Sequence, residues 1–457
     1  MSAYVVDQDS VITSLFVENN SKFLTCGGTN IAPKSGAWDN FTALNPTTNF
    51  KYIFNGQDFI SGGVKPAVTG YSSTGTAPLK IKQFLYNSGN IEYICGQFSV
   101  TVSTVPSIII ATNIMYFNPL APGDPANLNR SGIATFNSCS ISFNGADNIV
   151  NCMKFLNLTP EGINTNKLVI AGKFTSAVAS GTSRGNIAIL DVDTTPSWTI
   201  NILAQPVADA IINALTTTIN SIIVIDNIIY VAGSDDTNCL FYSYNTTTNL
   251  WSDLLGGAYV GTINILKKAT TKTNTYIVIG GNFTDLGTVT TCNNIILYNT
   301  GDNTWRALGT TTLGVTEVPA SSPIYPSPEV FALEYNESNY ILWVGGYFLK
   351  AGGNDSNSIA FYDITNNTWN IIQRNKDSAN IKGLLLDSGG SEPGVVYALY
   401  ISAGDTSNIV VGGSFRTSTT PISPLTTSVT IYNLVKITTA ATNGTKRNYV
   451  KFNSKCQ

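Results

Sequence analysis

The residues that could do chemistry in this chain are few. Asp235 and Asp236 close the run "IYVAGSDD" (229–236). Two carboxylates about 5–10 Å apart are what glycoside hydrolysis needs, so this pair is the first candidate. The competing reading is a solvated pair that stabilises a turn. Asp191 and Asp193 alternate along a strand-like run and so share one face, which reads as outward. "AGGNDSNS" (351–358) is rich in oxygen but lacks the carboxylate spacing of a calcium loop, so turn chemistry is preferred. No glycine-rich phosphate loop follows a strand and opens a helix.

Absences narrow the field further. The sequence contains no histidine. That removes Ser-His-Asp and Cys-His pairs and every imidazole metal site. The 7 cysteines are scattered, with no C-x-x-C spacing, and read as buried free thiols. The net charge is −3 and the pI about 5.1, so nothing in bulk attracts nucleic acid. The stretch after Lys436 carries Lys446, Arg447, Lys451 and Lys455 with no acid, and reads as an edge strand or tail. No run reaches the length of a membrane helix. No basic segment leading into an apolar core opens the sequence, so a cytoplasmic or particle-associated location is expected.

The elements that would position these residues are repeats. A Gly-x-Phe anchor recurs in "YICGQF", "LVIAGKF", "YIVIGGNF", "ILWVGGYF" and "IVVGGSF", at Gly96, Gly172, Gly281, Gly346 and Gly413. Looser copies hold Gly28 and Gly233. A second signature follows most anchors: "NIAILDVD", "CLFYSYN", "NIILYN", "SIAFYD" and "SVTIYN". A third ends four units, at Trp198, Trp251, Trp305 and Trp369. Another apolar run precedes most anchors: "VNCMKFL", "INALTTTI", "TINILKK", "EVFALEY" and "VVYALYI". Each unit reads as four short β-branched and aromatic strands with turn residues between them. The anchor glycine suits the end of the second strand, through positive φ or through close backbone approach. The tryptophan opens the fourth strand, wedged between sheets, with its N–H on a backbone acceptor.

Four-stranded sheets repeated radially make a β-propeller. The expected fold is all-β, a seven-bladed propeller with approximate blades 11–60, 79–145, 150–204, 211–256, 263–309, 329–373 and 395–454. Residues 3–7 or 448–453 are expected to complete the last blade. The order Gly-Gly, Tyr-Asp, Trp resembles the repeat of kelch and galactose-oxidase-type propellers, and especially that of fungal cell-polarity landmark proteins. The resemblance runs from about residue 11 to 435 and implies a fold rather than an activity. Galactose-oxidase chemistry needs copper held partly by imidazole, which this chain cannot supply. Sialidases use an arginine cluster. Here Arg130, Arg184, Arg306, Arg374, Arg416 and Arg447 are scattered, and Arg306 and Arg374 follow tryptophans at the rim.

In a propeller the loops joining strands two and three share a face with the loops between blades. The long segments 175–185, 284–292, 349–357 and 416–428 belong to the first class; 61–78 and 314–328 belong to the second. Segment 118–132 is the exception, on the other face or rim. Long polar loops on one side of a rigid scaffold suit a protein contact. The candidate contact residues are Thr284, Asp285, Leu286, Tyr325, Lys350, Asn354, Asp355, Arg416 and Thr417. No catalytic residue, metal or cofactor is assigned. The expected function is a non-enzymatic interaction module that binds a protein or its own copies, as a component of a virion or other large particle. The alternatives are a carbohydrate-binding or glycoside-processing propeller and a cell-surface landmark-type protein.

Overall fold

The structure is a computed structural model. It describes residues 216–320 and 325–372 without a break and, elsewhere, chiefly the strands of the sheets. Every regular element it describes is a β-strand. Among the described residues, seven antiparallel sheets with four strands paired in chain order follow one another, the second gaining a fifth strand, and two smaller three-stranded sheets lie between them. The seven are numbered here sheet 1 to sheet 7. Sheet 5 shows the plan: Gly261–Thr270, Thr275–Phe283, Ile295–Asn299 and Trp305–Ala307, each hydrogen-bonded to the next.

The first strands of the seven sheets are Val11–Glu18, Lys80–Tyr86, Ile149–Phe155, Thr218–Ile225, Gly261–Thr270, Glu329–Asn336 and Val395–Tyr400. Each lies beside the first strand of the next sheet, and that of sheet 7 lies beside that of sheet 1. Sheets radiate from this inner circle of strands. The fold is a β-propeller. At its far end Val450–Phe452, inside the 448–453 segment, pairs with Thr430–Thr439 as the fourth strand of sheet 7. Residues 3–7 lie outside the described residues.

Neighbouring sheets pack face to face, and successive residues of one strand face opposite neighbours. In sheet 5, Ile277, Ile279, Ile296 and Tyr298 join a core with sheet 4. Val278, Ile295 and Leu297 join a separate core with sheet 6. Both faces are therefore buried, which is why the middle strands read as unbroken apolar runs rather than alternating ones.

The repeated glycines have one physical cause. Each first strand carries a β-bulge, and the anchor glycine pairs with the residue just before it, as in Ile263↔Gly281 and Val330↔Gly346. Gly28, Gly96, Gly172, Gly233 and Gly413 hold the same register. A Cβ on Gly281 would lie 2.0 Å from the Thr262 carbonyl oxygen. Gly172, Gly233, Gly346 and Gly413 face the same obstruction. None of those five has positive φ, so close approach is the reason and left-handed backbone is not. The preceding glycine of the pair meets the next sheet instead: a Cβ on Gly280 would strike Val330 Cγ1 at 2.6 Å, and one on Gly345 would strike Val396 Cγ1 at 2.4 Å.

Two further expectations are corrected. The inner strand of sheet 4 is "TINSIIVI" (Thr218–Ile225), not "INALTTTI". It turns at Asp226-Asn227, with Asp226 at φ 52°, straight into Ile228–Ser234, so two adjacent strands read as one apolar run. The tryptophan N–H bond is made at Trp369, which donates to the Leu308 carbonyl at 3.0 Å, but not at Trp251, whose buried Nε1 has no partner.

Candidate interaction face

Several segments that read as long loops are strands. Val315–Thr316, between sheets 5 and 6, pairs with Lys350–Ala351, which pairs with Asn354–Asp355. The last two form a hairpin between strands two and three of sheet 6, turned by Gly352 and Gly353 at φ 55° and 81°. Two positive φ values in a two-residue turn are the geometry that suits the twist of paired strands. The same device appears twice more. Ser142–Asn144 pairs with the hairpin Ser176–Ala179 and Thr182–Arg184 between strands two and three of sheet 3. Tyr71–Ser73 pairs with the outer part of Glu92–Thr104, which runs on as a hairpin with Ser107–Asn118 in sheet 2. In each case one strand between sheets adds to a hairpin of the following sheet.

Elsewhere the two loop classes are joined by single bonds. The Tyr259 hydroxyl donates to the Gly287 carbonyl, and Val315 N to Asn293 O at 3.0 Å. Leu384 N donates to Asn357 O at 2.9 Å. Both loop classes thus share one face and are stitched into a second tier above the sheets. Alternating residues around a Gly or Ser-Gly turn, as in "SAVASGTSR" and "KAGGND", were the available hairpin signal in the sequence.

The predicted contact residues are placed as follows. Thr284 and Asp285 are exposed, and Asp285 Oδ1 accepts the Thr291 amide at 2.6 Å. Leu286 is fully buried in the core between sheets 4 and 5, so it anchors its loop and offers no contact surface. Asn354 and Asp355 are exposed on the hairpin edge, and Lys350 pairs with Glu317 at 2.6 Å. Arg416 and Thr417 are not in a loop: the strand Asn408–Ser418 continues through them, opposite Tyr432 and Ile431. Tyr325 is half-buried, with its hydroxyl 2.8 Å from that of Tyr397 and its ring against Phe331 and Tyr347. The structure brings Lys350, Asn354 and Asp355 together on one hairpin; Thr284 and Asp285 lie on the corresponding loop of sheet 5.

The bulged residues were missed by sequence reasoning. They include Asn151, Asn220, Asn264, Phe331 and Tyr397, one on each first strand from sheet 3 to sheet 7. Asn151 Nδ2 donates to Ile219 O at 2.9 Å, Asn220 Nδ2 to Ile263 O at 3.0 Å and Asn264 Nδ2 to Val330 O at 3.1 Å. Each asparagine thereby clasps the next sheet at its own bulge. Phe331 and Tyr397 replace that clasp with ring contact at 5.2 Å. The recurring "VN", "IN", "IN", "VF", "VY" was the signal.

Of the two candidate catalytic carboxylates, Asp235 is tied into a turn and Asp236 is exposed beside it. Asp235 Oδ1 accepts the amides of Asn238 at 2.7 Å and Thr237 at 3.1 Å. Slight burial raises its pKa, but those amide bonds outweigh it and the net shift is downward. A carboxyl held ionised in this way is a turn cap and a poor general acid. Three residues beyond the bulge, the inner strands of sheets 3, 5 and 6 carry Lys154, Lys267 and Glu334; the last two pair at 2.7 Å. Burial, followed by the Lys267 cation, lowers the Lys154 pKa. Among the described residues no group of three or more Cys, Asp or Glu is arranged to hold a metal ion. The described cysteines Cys95, Cys152, Cys239 and Cys292 are free and buried, and burial pushes the last three up to about 12.

No family model matches the chain, and no curated protein does. Solved structures do. The GH74 xyloglucanase from Xanthomonas campestris is similar over 96% of this chain, at 10% identity and a TM-score of 0.52; the chain spans 59% of that protein. The Dos1 propeller matches over 89% of this chain and 90% of its own, at 11% identity and a TM-score of 0.45. The WD40 repeats of RRP9 match over 89% and 88%, at 9% identity and a TM-score of 0.43. An extracellular domain from B. thetaiotaomicron matches over 91% of this chain, which spans 39% of it. At such identities the likeness concerns fold alone.

Proposed function

We propose that the chain is a non-enzymatic, kelch-like propeller of seven blades that binds a protein partner, or further copies of itself, through the face carrying the second tier. The observation that carries this reading is the three-fold use of one device, an inter-sheet strand added to a hairpin, always on the same face. Backbone ladders hold those hairpins in fixed positions, so an interface there costs little ordering entropy. Exposed polar residues at the tips, Thr284, Asp285, Asn354 and Asp355, supply the contacts. The low charge and the Asn/Thr-rich surface suit a component of a virion or other large particle. The solved propellers of similar fold include a xyloglucanase, but Asp235 of the candidate carboxylate pair here is a turn cap.

The test is hydroxyl-radical footprinting of the protein free and in its native assembly. Residues 284–292 and 349–357 are expected to lose reactivity in the assembly. The triple variant Asp285→Arg, Asn354→Arg, Asp355→Arg is expected to melt like the parent and to stay outside the assembly. If both segments keep full reactivity in every native complex, the reading fails.

A further inference from the structure

A cleft of about 410 Å³ opens between sheets 4 and 5, lined by Tyr230, Ser243, Ser252 and Asp253 on one side and Tyr298 and Asn303 on the other. It lies towards the 1–2 and 3–4 turns, away from the second tier, since Asn303 belongs to the turn after Ile295–Asn299. Its origin is visible in the register. In the third and fourth strands, the pair facing the next sheet is Leu297↔Arg306 in sheet 5 and Phe361↔Asn370 in sheet 6. In sheet 4 the corresponding pair is Ser243↔Ser252. Two small hydroxyl residues stand where sheets 5 and 6 place a large apolar side chain opposite a bulkier polar one. The space they leave is within the size of ligand sites, and close packing would otherwise fill it.

From these residues we infer that the cleft binds a neutral polyhydroxylated ring, of the monosaccharide class. The lining supplies hydroxyls, an amide and one carboxylate. Ser243, Ser252 and the two phenols both donate and accept, which matches alternating sugar hydroxyls. The Tyr298 hydroxyl is already aimed into the polar wall, donating to Asn303 Oδ1 at 2.6 Å. Asp253 holds the amides of Leu255 and Gly256 through Oδ1, while its Oδ2 remains an acceptor for a ligand hydroxyl. The Tyr230 and Tyr298 rings are themselves buried against Phe241 and Trp305, so the tyrosines would meet a ligand through their hydroxyl ends. Burial raises the Tyr230 phenol to about 12 and raises Tyr298 also, so both stay protonated donors at neutral pH. A lining with a single carboxylate and no basic residue disfavours anions such as phosphates and sugar acids. This site is independent of the proposed protein-binding face.

The experiment is saturation-transfer NMR on the full chain with glucose, galactose, mannose and N-acetylglucosamine, each with the parent and with Ser243→Leu. Leucine is the residue sheet 5 carries at that position, so it should fill the cleft without disturbing the fold. At least one sugar is expected to show transfer with the parent, and Ser243→Leu to abolish it at an unchanged or raised melting temperature. Should Ser243→Leu fold poorly, Tyr298→Phe serves instead, with affinity expected to fall roughly tenfold. No transfer from any of the four sugars overturns the proposal. So does transfer that survives in both variants.

Discussion

At the scale of single residues, the repeat is set by steric and hydrogen-bonding demands that recur at each bulge and turn. The anchor glycine is obligatory where a Cβ would sit 2.0 Å from a carbonyl oxygen. Gly281→Ala is therefore expected to cost about 2–3 kcal/mol, as overpacking against backbone does. Gly257→Ala, where the nearest atom would be 3.5 Å away on the Tyr259 ring, should change little. Urea midpoints at constant m separate the two. The other signatures also resolve into bonds. Asn294, at φ 71°, accepts the Phe283 amide at 3.0 Å, and Asn186 does the same for Phe174. Tyr244, Tyr298 and Tyr362 donate to Asn249, Asn303 and Asn367, each of which has positive φ two residues before the tryptophan. Glu329 gives a pH-dependent case. Burial raises its carboxyl pKa, and the Asn264 amide at 2.7 Å only partly offsets that. A raised folded-state pKa favours the protonated form on folding, so this stability is present below the unfolded pKa and is lost as pH rises through the folded one. Glu329→Gln should match the parent in acid and exceed it at neutral pH, read from melts across that range.

At the scale of elements, what was legible in the sequence is what repeats. Gly-Gly-x-Phe, Tyr-Asn and Trp stand out because the same geometry is built several times, and the strands they mark pair in chain order. The second tier was hidden because its hairpins interrupt the repeat at different lengths and use short polar strands of 2–4 residues in sheets 3 and 6. Their pairing partners come from segments between sheets, a non-local fact that no window of sequence contains. The inter-sheet clasps were hidden for another reason. An asparagine in an apolar strand reads as an outward residue, yet at a bulge it reaches the neighbouring backbone. Asn264 bonds both Val330 O and Glu329 Oε1. Asn264→Ala should therefore cost about 1–3 kcal/mol, since it leaves a partly buried carboxyl without its donor. Denaturant unfolding at neutral pH measures it, and the double variant with Glu329→Gln should recover part of the loss. Additive losses in that cycle would mean that the two side chains do not act on one another.

At the scale of the whole molecule, the first strands touch in cyclic order, with that of sheet 7 against that of sheet 1. Closure of this kind leaves no sheet face open, because each face has a neighbour. Among the described residues, sheets 3 to 6 each contribute to two cores, as sheet 5 does between sheets 4 and 6. Removing one sheet therefore uncovers two faces and leaves a gap that the remaining sheets must span. Deleting residues 1–60 removes sheet 1, the neighbour that sheets 7 and 2 share. The faces that sheet 1 covered are then open to solvent, and large apolar surfaces opened in this way associate. The shortened chain is expected to lose its single cooperative melt and to elute as aggregates or as higher oligomers in size-exclusion chromatography. A shortened chain that stays monomeric and melts at the parent's temperature would mean that sheet 1 is not part of the closure. In that case the contacts of Val11–Glu18 with sheets 2 and 7 contribute little to holding the circle of inner strands together.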